Sequence, residues 1–135
     1  MQPDGILETV IYAPDLEAAE RFYGEVMGFE VFVKVEGRHV FYRCGNQMLL
    51  IFDPVATAKP AVEGIPVPTH GATGAGHLCF RAPGGTIDDW RRHLEAAGVE
   101  IEMYFEWPQG GRSIYFRDPA GNSLEFAEPR IWGLE

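Results

Sequence analysis

Three residues of the sequence, Glu8, His77 and Glu125, have side chains that could together bind a metal ion. Each lies in a short stretch whose residues are typical of a β-strand. Glu125 stands between Leu124 and Phe126, although acidic residues are depleted in strand interiors. A carboxylate that points into a sheet is costly unless it is paired or coordinated. The residue types therefore favour metal binding as one hypothesis for these positions.

Each of the three also has a simpler interpretation. Glu8 could lie on a wet face of the sheet, where solvent stabilises its charge. His77 taken alone fits a core histidine with a hydrogen-bond partner. The metal hypothesis gains weight because all three residues fall at equivalent strand positions of an internal repeat.

The two halves of the chain predict the same order of elements, β-α-β-β-β. Strands over 8–14 and 77–83 are each followed by an amphipathic helix, over 16–27 in the first half and over 87–97 in the second. Each half then has three more strands, at 29–33, 37–43 and 48–54 and at 99–103, 111–117 and 123–129. The sequence thus predicts one domain over 1–135, with module one at 6–54, a linker and possible lid at 55–76, module two at 77–129 and a tail at 130–135.

Side chains i and i+2 of a strand share a face. In the repeat, Glu8 is equivalent to His77, and Leu50 is equivalent to Glu125. Three of these four related positions therefore carry possible metal ligands and the fourth carries leucine.

The order of elements, together with the stretches Asp15–Tyr23 and Phe116–Glu125, resembles the vicinal oxygen chelate superfamily. Its members include glyoxalase I, extradiol dioxygenases and bleomycin-resistance proteins. The resemblance implies an α+β fold in which two tandem βαβββ modules form curled mixed sheets around a cleft. It further implies one divalent metal ion (Mn, Fe, Ni, Co, Zn or Mg) held by Glu8, His77 and Glu125, and a homodimer. Leu50 stands where glyoxalase I has a fourth ligand, which departs from that enzyme.

Further residues are expected around this cleft. Glu125, Tyr12 and His70 are the catalytic candidates, with His70 placed in the long loop where it could cap the site or act as an acid or base. A surface histidine without function is the simpler interpretation of His70, and a solvated rim position is that of Arg81. The candidates for contact with substrate are Val10, Tyr12, Met48, Leu50, Phe52, Arg81 and Arg112.

Two classes of function remain open at the level of sequence. The first is a metal-dependent glyoxalase-like or dioxygenase-like enzyme, whose small organic substrate chelates the metal through adjacent oxygens. The second is a metal-free protein that sequesters a drug or metabolite, as bleomycin-resistance proteins do. A regulatory module with a vestigial cleft is a third possibility, which no residue specifically supports.

Net charge and hydropathy limit the classes of binding partner that the sequence favours. A formal net charge of -9 disfavours nucleic acid and anionic membranes, both of which are polyanions. The sequence has no apolar run long enough to span a bilayer and no start typical of a signal peptide. Cys44 and Cys79 form no spacing motif and are expected to stay reduced, so a cytoplasmic location is expected.

Overall fold

The computed structural model describes residues 1–61 and 65–134 of the chain. They form two compact units, Met1–Gly74 and a second that begins at Ala75. The unit boundary therefore falls near the end of the predicted linker. Residues 62–64 of that linker and Glu135 of the predicted tail lie outside the described residues.

The first unit is a four-stranded mixed sheet with short helices. Its strands run in the order β1-β4-β3-β2, with β1 parallel to β4 and the other pairs antiparallel. The elements are β1 (Glu8–Tyr12), α1 (Leu16–Arg21) with a following π-helical turn (Phe22–Val26), β2 (Val31–Val35), β3 (His39–Cys44), β4 (Gln47–Phe52) and α2 (Pro54–Thr57).

The second unit repeats this architecture. Its strands run in the order β5-β8-β7-β6, and β5 is parallel to β8. The elements are β5 (His77–Arg81), α3 (Ile87–Ala96), β6 (Met103–Glu106), β7 (Arg112–Arg117), β8 (Ser123–Ala127) and a 3-10 helix (Pro129–Trp132). The predicted α+β class, with two tandem βαβββ modules that form mixed sheets, is confirmed.

In each unit one face of the sheet packs on the unit's own helix. Trp90 of α3 stacks on Phe126 of β8, with ring centroids 4.2 Å apart, and Leu124 is fully buried on the same face. Alternation then turns His77, Cys79 and Arg81 to the other face, where all three are exposed. In the first unit Glu8 and Val10 are exposed in the same way. Glu8, His77 and Glu125, the predicted metal ligands, therefore lie on the face of each sheet that faces away from its helix.

Three elements differ from the prediction. The helix predicted over 16–27 is α-helical only to Arg21, and the wider turn that follows buries the adjacent rings of Phe22 and Tyr23 together. Strand β6 begins at Met103 rather than at residue 99, because Val99 closes the end of α3 by donating its backbone N–H to Leu94. Helix α2 forms inside the predicted linker.

Candidate functional site

Glu125 lies in the middle of the second sheet, on the face opposite α3. Strand pairing sets it beside Cys79 of β5 on one side and Tyr115 of β7 on the other. Only 5% of the residue is exposed. His77, two residues before Cys79, reaches the same carboxylate, and its Nε2 lies 3.3 Å from Glu125 Oε2. The structure thus brings together two of the three predicted metal ligands.

The backbone of β8 fixes the orientation of the His77 ring. His77 Nδ1 lies 2.9 Å from the carbonyl oxygen of Ser123, and since a carbonyl oxygen only accepts, we assign the hydrogen to Nδ1. In the neutral imidazole Nε2 then carries a lone pair and no hydrogen, and it faces the Glu125 carboxylate. Two acceptors that face each other at this distance need a cation between them or a proton on the ring. This is the arrangement that metal-binding histidines adopt when their second nitrogen is held by a carbonyl.

The other carboxylate oxygen of Glu125 supports the same interpretation. Oε1 is buried and has no hydrogen-bond partner. An unpartnered buried oxygen on a charged group is costly, and coordination to a cation would remove that cost. The chemistry of the His77–Glu125 pair therefore fits a divalent metal ion.

The neighbours of Glu125 keep their protons. Although residue Cys79 is exposed as a whole, burial of its thiol, followed by the nearby Glu125 charge, raises the pKa of that thiol to about 12. Burial, followed by a hydrogen-bonding contact with Glu125 and then by the Glu125 charge, raises the pKa of the Tyr115 hydroxyl to about 12. Neither group supplies a thiolate or phenolate near neutral pH. The Glu125 carboxylate therefore lies between two neutral groups, the Cys79 thiol and the Tyr115 hydroxyl.

The remaining predicted ligand position lies in the first unit. Glu8 is exposed at the start of β1, in register with Met48 of β4. Leu50, which the repeat relates to Glu125, is buried between Val10 of β1 and Phe41 of β3. Across residues 1–61 and 65–134 there is no group of three or more His, Cys, Asp or Glu side chains that could hold a metal. The ligand set of Glu8, His77 and Glu125 therefore stays a prediction. The structure brings His77 and Glu125 of that set together.

The first unit brings together the two other catalytic candidates. Tyr12 Oη and His70 Nδ1 are 2.7 Å apart, a hydrogen bond between a β1 residue and the loop that follows α2. The His70 ring also stands edge-on to Phe52, with centroids 4.8 Å apart. Phe52 is in turn in register with Tyr12 on the neighbouring strand. His70 therefore packs on the face of the first sheet that carries Glu8 and Val10.

Helix α2 explains how a loop residue reaches the sheet. Asp53 accepts hydrogen bonds from the backbone N–H groups of Val55 and Ala56 and so caps the helix. The carbonyl of Thr57, in its last turn, accepts from the His70 backbone N–H at 3.0 Å. Gly71 follows so closely that an added Cβ would lie 2.9 Å from the Pro54 carbonyl oxygen. The close approach of the glycine and the hydrogen bond to Thr57 hold this part of the loop against α2.

The two arginine candidates have different environments. Arg81 is exposed at the end of β5 on the His77 face, and it forms no ion pair with any residue in the described part of the chain. Arg112 lies on the helix face of β7, where its guanidinium donates to Asp88, to the Tyr104 hydroxyl and to Glu128. The structure therefore does not bring Arg112 to the face that carries Glu125.

The sequence analysis did not predict two groups of residues that lie beside the candidate site residues. Tyr115 and Cys79 flank Glu125, and His39 stacks on Phe41 at 4.0 Å beside Phe52. His39 Nδ1 is buried without a partner, and burial, followed by the charge of Arg38, lowers the pKa of this ring. The repeat could have found Tyr115 and Cys79, because they are in register with Glu125 as Phe41 and Val10 are with Leu50. His39 is in register with Phe52, two residues farther along β4.

Comparison with known proteins places the chain in a family. The sequence model of the Glyoxalase/Bleomycin resistance protein/Dioxygenase superfamily matches residues 5–126, and the chain belongs to this superfamily. The predicted resemblance is therefore confirmed. The match spans both βαβββ modules and ends one residue after Glu125.

Individual relatives cover a range of similarity. A crystal structure titled lactoylglutathione lyase from Agrobacterium tumefaciens is 46% identical, covers 99% of this chain and all of its own, and superimposes with a TM-score of 0.94. Virulence protein STM3117 from Salmonella typhimurium is 27% identical, with 95% and 98% covered and a TM-score of 0.71. A Bacillus subtilis strain 168 protein named "Putative ring-cleaving dioxygenase MhqE" is 31% identical over 109 residues, which are 76% of this chain. The chain spans only about a third (34%) of that relative's length.

Proposed function

We propose that the protein is a divalent-metal-dependent enzyme of the glyoxalase or dioxygenase type, acting on a small organic molecule that binds through adjacent oxygens. The observation that carries this proposal is the bare Nε2 of His77, which faces a buried Glu125 carboxylate with an unpartnered oxygen. Similarity to a lactoylglutathione lyase and to a ring-cleaving dioxygenase supports the same general chemistry.

His77 and Glu125 would hold the metal, and Glu8 is the proposed third ligand on the strength of the repeat. Two carboxylates and one imidazole favour Mn²⁺, Fe²⁺ or Mg²⁺, while Ni²⁺, Co²⁺ and Zn²⁺ remain candidates. When bound, such an ion acts as a Lewis acid on the adjacent oxygens of a substrate.

Tyr12 and His70 are proposed to move protons. In the neutral tautomer with the hydrogen on Nε2, His70 Nδ1 accepts from the Tyr12 hydroxyl at 2.7 Å. The hydrogen bond orients the ring on its Phe52 support, so the exposed His70 can exchange a proton with a bound molecule. Removal of the Tyr12 hydroxyl would leave the ring in place but free to rotate.

The substrate wall is proposed to come from the first unit, with Val10, Met48, Leu50 and Phe52 supplying apolar contacts. Arg81 supplies a cation without an ion-pair partner among the described residues, suited to a carboxylate or an enolate. We further propose that the protein is a homodimer, as members of this superfamily often are.

A metal-free sequestering protein is the second candidate, and the apolar face of the first sheet favours it. Val10, Leu50 and Phe41 form an apolar row across three strands, and Phe52 extends it by contact with the Phe41 ring. This apolar surface could bind a hydrophobic ligand without metal. The two candidates differ in whether the His77–Glu125 pair is needed for binding.

Metal titration distinguishes them. Protein stripped with chelator is titrated by calorimetry with Mn²⁺, Fe²⁺, Ni²⁺, Co²⁺ and Zn²⁺, beside the variants His77→Ala and Glu125→Gln. We expect one ion per chain and a loss of affinity of at least about 100-fold in both variants, because each removes a ligand. Glu100→Gln and His93→Ala remove the same groups from exposed positions and should bind as the unaltered protein does.

Binding that survives both ligand variants, or no binding at all, would contradict the enzyme proposal and favour the sequestering protein. If the ion binds as expected, activity is assayed with α-oxoaldehyde adducts and with catechols under oxygen. Tyr12→Phe and His70→Gln should then lower kcat with little change in metal affinity, since neither residue is a proposed ligand.

A further inference from the structure

The turn between β7 and β8 contains a buried network of hydrogen bonds centred on Asp118. Its Oδ1 accepts from the backbone N–H groups of Ala120 and Asn122, at 3.0 and 2.9 Å. Its Oδ2 accepts from the side-chain Nδ2 of Asn122 at 2.9 Å. Asp118 and Asn122 are only 5% and 2% exposed. The Asn122 side chain therefore has one fixed orientation.

The oxygen of that amide reaches across to the residue before β5. Asn122 Oδ1 accepts from the backbone N–H of Gly76 at 2.8 Å, and the Gly76 carbonyl accepts from Ser123 N at 2.9 Å. The next residue in each strand completes the connection, because His77 Nδ1 donates to the Ser123 carbonyl at 2.9 Å. Three consecutive hydrogen bonds thus tie residues 76 and 77 to residues 122 and 123.

The His77 ring has a second hydrogen bond available to it. With the hydrogen on Nε2 it would donate to Glu125 Oε2, now 3.3 Å away, and a charged acceptor makes the stronger bond. That tautomer would close the metal-binding nitrogen. The tautomer that leaves Nε2 bare depends on the Ser123 carbonyl being held at the correct distance from Nδ1.

We propose that Asn122 is a positioning residue for His77: it fixes Gly76 against Ser123, so that the hydrogen of the imidazole stays on Nδ1 and Nε2 stays open toward Glu125. The consequence for metal affinity rests on the proposed function, whereas the consequence for the tautomer does not. Asn122 touches neither substrate nor metal in this proposal and acts only through His77.

The test reads the tautomer in metal-free protein by ¹⁵N chemical shifts and two-bond ¹H–¹⁵N couplings of the four histidines. The spectra are recorded at about pH 8.5, some two units above the ordinary histidine pKa, and the ¹⁵N shifts themselves distinguish the two neutral tautomers from the imidazolium. The unaltered protein should show His77 with the hydrogen on Nδ1. Asn122→Ala should move the population toward Nε2–H and weaken Zn²⁺ or Ni²⁺ binding by about tenfold or more, the range found for outer-shell partners of a ligand.

A second variant perturbs the same contact from the other strand. An added Cβ at Gly76 would lie 3.3 Å from Asn122 Oδ1, so Gly76→Ala crowds the amide while leaving the Asp118 network intact. It should shift the tautomer in the same direction and by less, and it keeps the proposal testable should Asn122→Ala fail to fold. The matched control is Ile87→Val, which trims a buried side chain of α3 on the opposite face of the sheet.

An unchanged His77 tautomer in folded Asn122→Ala or Gly76→Ala overturns the proposal. An equal shift in Ile87→Val also overturns it, because the effect would then reflect general loosening. Failure of the unaltered protein to bind metal would contradict the proposed function alone, since the tautomer in metal-free protein still decides the role of Asn122.

Discussion

Glu125 and Leu50 occupy equivalent positions in the two units, but the residues beside them on the neighbouring strands differ in polarity. Leu50 lies between Val10 and Phe41, an apolar row that needs no partner. Glu125 lies between Cys79 and Tyr115, both able to donate a hydrogen, with His77 two residues along β5. The change from an apolar to a polar row involves three strands at once, so it is a property of the second unit's site and not of one residue.

The buried carboxylate should cost stability while the protein holds no metal. Glu125→Gln keeps the shape, removes the buried charge and can direct its amide N–H toward the bare Nε2 of His77. We expect the free energy of unfolding of the metal-free protein to rise by about 1 kcal/mol, since an unsatisfied buried polar group costs roughly that much or more. Urea unfolding of chelator-treated protein measures the difference.

Glu100→Gln is the control for this prediction, because the same change at an exposed position should alter stability by less than about 0.5 kcal/mol. A metal-free Glu125→Gln protein that is less stable than the unaltered one would mean that the carboxylate is already compensated. The argument for a cation from the unpartnered oxygen would then fail.

Among the elements, α3, β6, β7 and the start of the 3-10 helix after β8 are joined by one ion-pair network at Arg112. Its guanidinium donates to Asp88 Oδ2 on α3 at 2.9 Å and to Glu128 Oε1 at 3.0 Å. The Tyr104 hydroxyl of β6 accepts a third bond, and the other Glu128 oxygen accepts from the Arg112 backbone N–H. Arg112 therefore stabilises the helix face of the sheet.

This network should make part of the stability depend on pH. Burial alone would raise the pKa of Glu128, but the side chain and backbone of Arg112 hold it below its ordinary value, and Arg112 likewise lowers that of Asp88. A lowered folded-state pKa stabilises the protein above about pH 4.5, and the contribution is lost as pH falls through the folded value. We expect Arg112→Ala to cost about 2 kcal/mol at pH 7 and clearly less at pH 3.

Chemical unfolding at pH 7 and pH 3 measures how much the free energy of unfolding differs between the unaltered protein and Arg112→Ala at each pH. Arg112→Lys keeps the charge but not the planar, forked geometry of the guanidinium. Its stability at pH 7 should lie between that of the unaltered protein and that of Arg112→Ala. Arg92→Ala, which breaks an exposed pair with Asp89, should change little at either pH. A cost for Arg112→Ala that is the same at pH 3 and pH 7 would contradict the assigned role of the carboxylates.

The elements themselves were largely predictable from the sequence. Alternating strands and the repeat gave the order and the faces, because those signals are local and occur twice. Helix α2 was overlooked although Asp53 and Pro54 are a capping residue followed by proline at the first helical position. The start of β6 was placed too early, because Val99 and Ile101 continue an alternation while the backbone at residue 99 is still closing α3.

The site was predictable only in part. Strand parity and the repeat correctly set His77 and Glu125 on one face. Tyr12 was a candidate from its strand and His70 from its place in the long loop, and neither signal indicated that the two are in contact. Sequence gave no signal for the Tyr12–His70 hydrogen bond, since it depends on where α2 holds the loop. The role of Arg112 as a substrate contact stays a prediction, and its parity on β7 sets it beside α3, where it donates to Asp88.

For the whole molecule, the exposed surface of the first unit bears on assembly. Among the residues that the structure describes, β2 pairs only with β3 and its other edge is unpaired. Its side chains Val31, Phe32, Val33 and Val35 are all more than 40% exposed. Exposed apolar edge strands are typical places for pairing with another chain. No described helix is long and apolar enough to cross a membrane. Because β2 is an exposed apolar edge strand, we expect it to contribute to the proposed homodimer.

Sedimentation velocity over a broad concentration range tests this expectation. The unaltered protein should sediment as a dimer, and Val33→Lys should shift it toward monomer, because a charge on an apolar edge strand disfavours pairing. Val55→Lys places the same charge at another exposed valine of the first unit and should leave the dimer intact. A monomer at all concentrations would contradict the homodimer, whereas a dimer unaffected by Val33→Lys would show that a surface other than β2 joins the chains.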